Sequence, residues 1–577
     1  MKRLIRFLRG YERETVLAPL FKMLEATFEL IVPLVVANIV DIGIKNKDVP
    51  YIWRQCVIMV LLGVIGLVCS LTAQYFSAKA AMGFSTALRK ELFAHISKLS
   101  YRELDRLGTP TLVTRITSDV NQAQTGVNMV LRLFLRSPFI VAGAVVMSFT
   151  IHVKIGFIFL IAVPLISVVI YMIMKGTVPI YKKAQSSLDR ISLITRENHV
   201  GARVVRAFGR QQEENREFAA SNDEYTRIQV QAGKISALLN PATTVIMNFA
   251  IIGILWYGGK AVYSGVLTQG EVVALVNYMS QILIALIALA NLIVAVTKAM
   301  ASAVRLNEVF DTQPSLTDEG TKVQEETVNR PRVEFQDVSF TYAGSKEPAL
   351  SHISFRAGPG ETIGIIGGTG CGKSTLVNLI PRFYDVDEGE VGIDGNSVKA
   401  YPFAQLRKKI GMVPQHAVLF KGTIRDNMRW GKADATDEEI DRALSIAQAK
   451  EFVDSRPDGL AAVISQGGAN LSGGQRQRLT IARALVGMPE ILIMDDSASA
   501  LDFATDAALR HAIREQTEGM TVFIVSQRAT SIKHADKILV LDDGELAGVG
   551  THQELMESCQ IYREICLSQL SEQEVNR

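Results

Sequence analysis

The sequence predicts a membrane protein in two parts, six transmembrane helices followed by an α/β domain built on a phosphate-binding loop. Three observations point there. Apolar runs of membrane length crowd the first half of the 577-residue chain. A buried-strand pattern, Thr362–Gly367, runs directly into Gly367-Gly-Thr-Gly-Cys-Gly-Lys-Ser-Thr375. A second apolar strand, Ile491-Leu-Ile-Met-Asp-Asp496, delivers two carboxylates to its tip, an arrangement that suits a metal–nucleotide site in an α/β sheet.

Composition narrows the class. Hydrophobic residues make up 48% of the chain, and the excess lies in the N-terminal half. A net charge of +3 excludes a general nucleic-acid binder. The five cysteines, Cys56, Cys69, Cys371, Cys559 and Cys566, have neither paired nor metal-ligand spacing and read as reduced thiols. The N-terminus, MKRLIRFLRGYERE, interleaves apolar and basic residues and reads as a short interfacial helix on an anionic membrane face. No small-residue cleavage site follows it, which argues against a signal peptide.

About 20 apolar residues cross a bilayer. Six such runs occur, near 16–41, 53–77, 127–151, 155–176, 237–258 and 270–296. Their links alternate, short at 42–52, 152–154 and 259–269, long and helical in pattern at 78–126 and 177–236. The long links carry Arg89, Lys90, Lys98, Arg102, Arg106, Lys182, Lys183, Arg190, Arg203 and Arg206, which places them in the cytosol with the N-terminus. Glu25 and Glu29, Arg132 and Arg136, and Asn277 and Gln281 are each one helical turn apart. The charged pairs are expected in water beyond the bilayer or at interhelical contacts. Asn277 and Gln281, mid-span, are as well placed to line a substrate path as to join helices. The membrane domain is expected over 1–310, a polar, acidic linker over 311–332, and the nucleotide-binding domain over 333–577.

The soluble half opens with a strand-like alternation, Val333 to Tyr342. The segment Gly367, Gly368, Thr369, Gly370, Cys371, Gly372, Lys373, Ser374 and Thr375 fits G-x-x-x-x-G-K-[ST] between strand and helix. Its glycines let successive backbone N–H groups curl around phosphate oxygens, and the helix that follows points its positive end at the same anion. Lys373 is expected on the β- and γ-phosphates, and the Ser374 hydroxyl on Mg²⁺. Cys371 reads as a small residue tolerated in the loop.

Leu471-Ser-Gly-Gly-Gln475 precedes the acidic strand and opens a basic amphipathic helix, Arg476 to Leu485. Together with the P-loop it resembles the ATP-binding-cassette (ABC) family, and six spans before one cassette resemble a type I ABC exporter half-transporter. The resemblance covers essentially the whole chain. It implies that Tyr342 stacks on adenine, that Gln415 contacts Mg²⁺, and that Asp495 is the Walker B aspartate, orienting the metal's water shell. It implies that Leu471, Ser472, Gly473, Gly474 and Gln475 complete a partner's ATP site, and that Ser499, Ala500, Leu501 and Asp502 form the dimer-bridging turn.

Three positions depart from the family pattern. Asp496 stands where a glutamate base is usual, Gln527 where a switch histidine is usual, and Gln466 where exporters usually carry an acid. A carboxylate one methylene shorter is displaced, and a misplacement of about 1 Å can cost ~100-fold in rate. Gln527 carries no proton or positive charge at neutral pH. Both changes fall on hydrolysis and leave the phosphate cradle intact. The chain therefore resembles the degenerate-site subunit of bacterial heterodimeric multidrug exporters, with a second half-transporter supplying the Glu and His. An ATP-gated membrane regulator and an importer of a small chelate fit the same motifs. Cytosolic segments Gly108–Asp119 and Arg196–Phe208 are expected as coupling elements. Phe249, Trp256, Tyr278 and Met279 suit amphipathic drugs or lipids, and suit helix packing better.

Overall fold

The computed structural model describes residues 3–318, 320, 321, 323, 330–497 and 500–569. The chain forms two compact units, Met1–Ser97 with Pro110–Thr312, and Lys98–Thr109 with Gln313–Arg577.

Among the described residues, six helices are long and apolar enough to cross a membrane: Glu12–Ile44, Val49–Ile96, Thr109–Ile151, Val153–Val200, Gln211–Tyr263 and Gln269–Asp311. They far exceed the ~20 residues a bilayer requires, because the polar long links continue the helices beyond the apolar runs. The sixth begins where Thr268 and Glu271 form a capping box. The N-terminal turn Leu4–Leu8 buries Leu4 and packs Phe7 on Phe310 at 6.1 Å, so it docks on the end of the sixth helix.

The intramembrane charges meet one another. Lys22, 5% exposed, donates to Glu25 at 2.6 Å and to Ser70 of the second helix at 3.0 Å. Arg136 of the third helix donates to Glu29 at 2.7 Å and lies 3.8 Å from Glu25. Gln281 of the sixth donates to the Glu29 carbonyl at 3.2 Å, and buried Tyr278 donates to the Leu30 carbonyl at 2.7 Å. These polar groups join helices; Asn277 is exposed. Phe249 and Trp256 are also exposed, whereas Tyr278 and Met279 are fully buried.

The second unit is built on a six-stranded sheet. It runs from Glu545–Gly550 through Lys537–Asp542, Thr362–Gly367, Thr521–Val525 and Ile491–Asp495 to Ile410–Val413. All neighbours are parallel except the edge strand Glu545–Gly550. The central strands are apolar on both faces, as a covered parallel sheet requires. A second sheet, antiparallel, carries Val333–Phe340 at its centre and leads directly to Tyr342.

The segment Gly108–Asp119, expected as a coupling element, does not form a separate short helix. Thr109–Thr114 and the turn Arg115–Asp119 run on into the third membrane helix. The separate short helix is Tyr101–Leu107, opened by a Ser100–Glu103 capping box and closed by Gly108 at φ +75°. Lys98–Thr109 therefore groups with the cassette rather than with residues 1–310. The physical reason is contact: Tyr101 packs on Phe383 at 4.6 Å and Asp105 accepts from Tyr384 at 2.7 Å. Within Arg196–Phe208, the short helix Ala202–Ala207 leaves Val204 and Phe208 exposed.

Candidate nucleotide-binding site

Parallel pairing brings the site together. The strand ending at Gly367, the strand ending at Asp495 and the strand leading to Gln527 are neighbours, and their C-terminal ends share one edge. Ligands of open α/β sheets bind outside such edges. A cleft of about 240 Å³ there is lined by Thr369, Gly370, Gly372, Lys373, Ser374 and Thr375 with Gln415, Asp495, Asp496 and Gln527. Residues separated by more than a hundred positions in sequence thus meet around one volume.

The loop has the backbone of a phosphate cradle. Gly372 sits at φ +93°, and a Cβ there would come within 2.6 Å of the Ala349 carbonyl oxygen. Gly370 is at φ +87° with open space at its Cβ position. Only glycine adopts such angles cheaply. Lys373 folds back onto the loop, donating to the carbonyls of Gly367 at 3.0 Å and Gly368 at 2.5 Å. Cys371 is buried, with its sulfur 3.6 Å from the Lys373 ammonium. Ser374 donates to Asp495 at 3.0 Å. That pair is a hydroxyl and a carboxylate, hard oxygen donors of the kind Mg²⁺ prefers. The cradle, the lysine and this donor pair fit a phosphate chain with Mg²⁺.

Asp495 is 5% exposed. Burial pushes its carboxyl above the usual carboxylate range, Asp496 adds to the rise, and Ser374 and Lys373 oppose it. Asp496 has a left-handed backbone at φ +45° and donates its N–H to the Val525 carbonyl at 3.0 Å. A non-glycine residue rarely takes that conformation, and such residues gather at functional sites. Tyr342, partly buried, shares a hydrogen bond with Thr375 at 3.1 Å, and burial raises its phenol.

The remaining signature residues lie elsewhere. None of Leu471, Ser472, Gly473, Gly474 or Gln475 lines the cleft. Ser472 caps the helix Gly473–Leu485, accepting from the Gln475 N–H at 3.2 Å, and the Gln475 side chain accepts from the Ser472 N–H at 3.0 Å. A Cβ on Gly473 would meet nothing within 4 Å, so this face is open. Leu501 is buried, Ala500 is exposed, and Asp502 caps the helix Phe503–Gln516 by accepting from Thr505 at 2.9 Å. Ser499 lies outside the described residues. Gln466 is exposed in the turn Gln466–Gly468.

Sequence reasoning missed three contributors. Gln569 of the helix Gln560–Gln569 donates to the Gln527 carbonyl at 2.7 Å and accepts from the Ala529 N–H at 2.9 Å, pinning the loop that carries Gln527. Tyr384 packs edge-on against Tyr342, and Asp105 accepts from Tyr384. No spacing in the chain announces these contacts, because each joins distant elements.

Comparison with known proteins agrees with this geometry. Residues 15–286 match the family model described as ABC transporter transmembrane region, and residues 350–499 the model described as ABC transporter. The chain is 38% identical to the uncharacterized ABC transporter ATP-binding protein YfiB of Bacillus subtilis, covering 99% of this chain and 98% of that one. It is 31% identical to the putative multidrug export ATP-binding/permease protein YgaD of the same organism, covering 96% and 97%. A solved structure of a bacterial Atm1-family ABC exporter with ATP bound superimposes with a TM-score of 0.80 at 26% identity, covering 97% of this chain and 99% of that one. The chain belongs to the ABC transporter family, as an exporter-type half-transporter with a six-helix membrane domain fused ahead of its ATP-binding cassette.

Proposed function

We propose that this chain is the degenerate-site subunit of a heterodimeric, ATP-driven exporter that moves amphipathic small molecules, drugs or lipids, out across the membrane. The observation that carries the reading is the pair Asp496 and Gln527, both lining the cleft beside Ser374 and Asp495. The cleft, with Tyr342 beside it on Thr375, keeps the groups needed to hold Mg·ATP. The P-loop amides and Lys373 would hold the phosphates, Tyr342 would stack on the base, and Ser374, Gln415 and Asp495 would hold Mg²⁺. When bound, that ion supplies positive charge against the β- and γ-phosphates.

The hydrolytic groups are the weakened ones. A positioned base contributes about 10²–10⁴ in rate. Asp496 is too short to occupy a glutamate's place while its backbone N–H is fixed on Val525. Gln527 hydrogen-bonds but transfers no proton. This site therefore retains ATP as a clamp between cassettes.

The open face at Ser472 and Gly473, outside this chain's own cleft, serves the partner's ATP, where hydrolysis takes place. The exposed Val204 and Phe208 suit an apolar groove of the partner's cassette. An amphipathic cargo accords with the similarity to YgaD, a putative multidrug export ATP-binding/permease protein.

The test is phosphate release from membranes holding this chain alone, against membranes in which it is paired with a half-transporter carrying Glu and His at the two positions. Slow release alone and fast release when paired is the expected result. Brisk hydrolysis by this chain alone, abolished by Asp496→Asn, would overturn the reading.

A further inference from the structure

The cassette binds its base through Tyr342 in the reading above, and the following inference rests on that reading. We infer that Asp105 of the helix Tyr101–Leu107 sets the orientation of the Tyr342 ring through Tyr384. Docking of that coupling helix and stacking of a purine base are thereby linked.

The chain of contacts is continuous. Tyr384 donates its phenol proton to Asp105 Oδ2 at 2.7 Å. Its ring meets the Tyr342 ring edge-on, with centroids 5.4 Å apart and planes at 85°. Phe340 closes the triangle, 5.4 Å from Tyr384 and 5.0 Å from Tyr342. The far end of Tyr342 is held by Thr375, the residue after the P-loop serine. Tyr342 is thus fixed at its hydroxyl by the nucleotide loop and on its ring by Tyr384, and Tyr384 is aimed by Asp105.

A cavity of about 130 Å³ adjoins these groups, with Arg102 and Asp105 on one side and Tyr342 and Tyr384 on the other. The coupling helix is therefore a wall of the space beside the stacking ring. A phenol has one proton, and giving it to a carboxylate on another element fixes the ring's rotation about its axis.

The linkage makes the base, rather than the phosphates, the part of the nucleotide that this helix senses. Lys373 and Ser374 grip the triphosphate without touching the relay, which meets the loop at the Thr375 hydroxyl. Base stacking needs Tyr342 in the orientation the relay imposes. By reciprocity, a stacked base must then hold the coupling helix more firmly.

The experiment uses the full-length protein in lipid nanodiscs with Mg²⁺. Calorimetric titration with ATP and with inorganic tripolyphosphate compares the wild type with Asp105→Ala, Asp105→Asn and Tyr384→Phe. The expected result is an ATP affinity about three- to tenfold weaker for Asp105→Ala and Tyr384→Phe, the scale of one aromatic contact. Tripolyphosphate affinity is unchanged in both. Asp105→Asn, whose carbonyl still accepts the phenol proton, retains wild-type ATP affinity. Hydrogen exchange in residues 98–109 slows more with ATP than with tripolyphosphate.

Unchanged ATP affinity in both variants would overturn the relay, as would equal weakening for the two ligands. A wild type that binds tripolyphosphate as tightly as ATP would overturn base stacking itself, and the inference with it. That outcome is visible before any variant is made.

Discussion

Ser374 and Asp495, 121 positions apart in sequence, share a hydrogen bond of 3.0 Å across the mouth of the cleft. The loop that cradles phosphates and the strand that carries the acids are joined at that point. The bond holds a hydroxyl and a carboxylate where one hard cation can reach both.

Replacing Asp495 with Asn removes the charge of the pair and keeps its shape. Mg²⁺-dependent ATP affinity is expected to fall about 10–100-fold, the usual loss when a group orienting a metal's shell is altered. ATP affinity in the presence of a chelator is expected to be unchanged. Calorimetric titration with and without Mg²⁺ checks this.

The proposed degeneracy at Asp496 and Gln527 predicts a gain of function. The double variant Asp496→Glu, Gln527→His is expected to raise phosphate release by this chain alone about 10²-fold or more, because it restores a base of full reach and a group that carries a proton. Either change alone is expected to give less. A steady-state phosphate assay in proteoliposomes measures it.

Gln569 pins the loop of Gln527 with two hydrogen bonds. Gln569→Ala is expected to cost on the order of 1 kcal/mol locally. Backbone amides of residues 527–529 are then expected to exchange faster, with the P-loop amides unaffected. Hydrogen-exchange mass spectrometry resolves the two segments.

Arg136 balances Glu29 and lies near Glu25 inside the membrane domain. Arg136→Ala leaves Glu29 without that cation, and a loss of about 2–3 kcal/mol is expected, discounted from the 3–5 of a fully buried pair because Glu29 is partly exposed. Arg136→Ala combined with Glu29→Gln is expected to recover most of it. Thermal unfolding in detergent follows both variants.

His534 titrates below its ordinary value because of burial first, then the positive charges of Lys533, Arg510 and Arg514. A depressed histidine favours the neutral folded state. Its contribution is fully present above the ordinary pKa of about 6.5 and is lost as the pH falls from there through the lowered folded value. Cassette stability is therefore expected to drop as the pH falls below about 6.5, and His534→Gln is expected to flatten that drop. Unfolding curves across that range provide the measurement.

Much of this was legible in one dimension. The six spans announce themselves because a bilayer demands long apolar runs. The P-loop is local, because nine successive residues curl around one ligand. The departures at Asp496 and Gln527 are legible for the same reason, since each belongs to a short motif. The break between Tyr101–Leu107 and the third membrane helix was not legible, because Gly108–Asp119 and Tyr101–Leu107 are both helical in pattern. Only contact with Phe383 and Tyr384 separates a docked helix from the start of a membrane helix.

The sequence by itself determined the order of the parts, the phosphate-loop motif, and the residue types at 496 and 527 on which the proposed degeneracy rests. Those follow from residue type and short-range spacing. Tertiary structure alone decided that Arg136 meets Glu29, that Gln569 holds the Gln527 loop and that Asp105 accepts from Tyr384. Each of those contacts depends on which side-chain faces packing brings together. For the last two, the chain separation carries no signal, because pairing between distant elements is fixed by the fold and not by the neighbours of either residue.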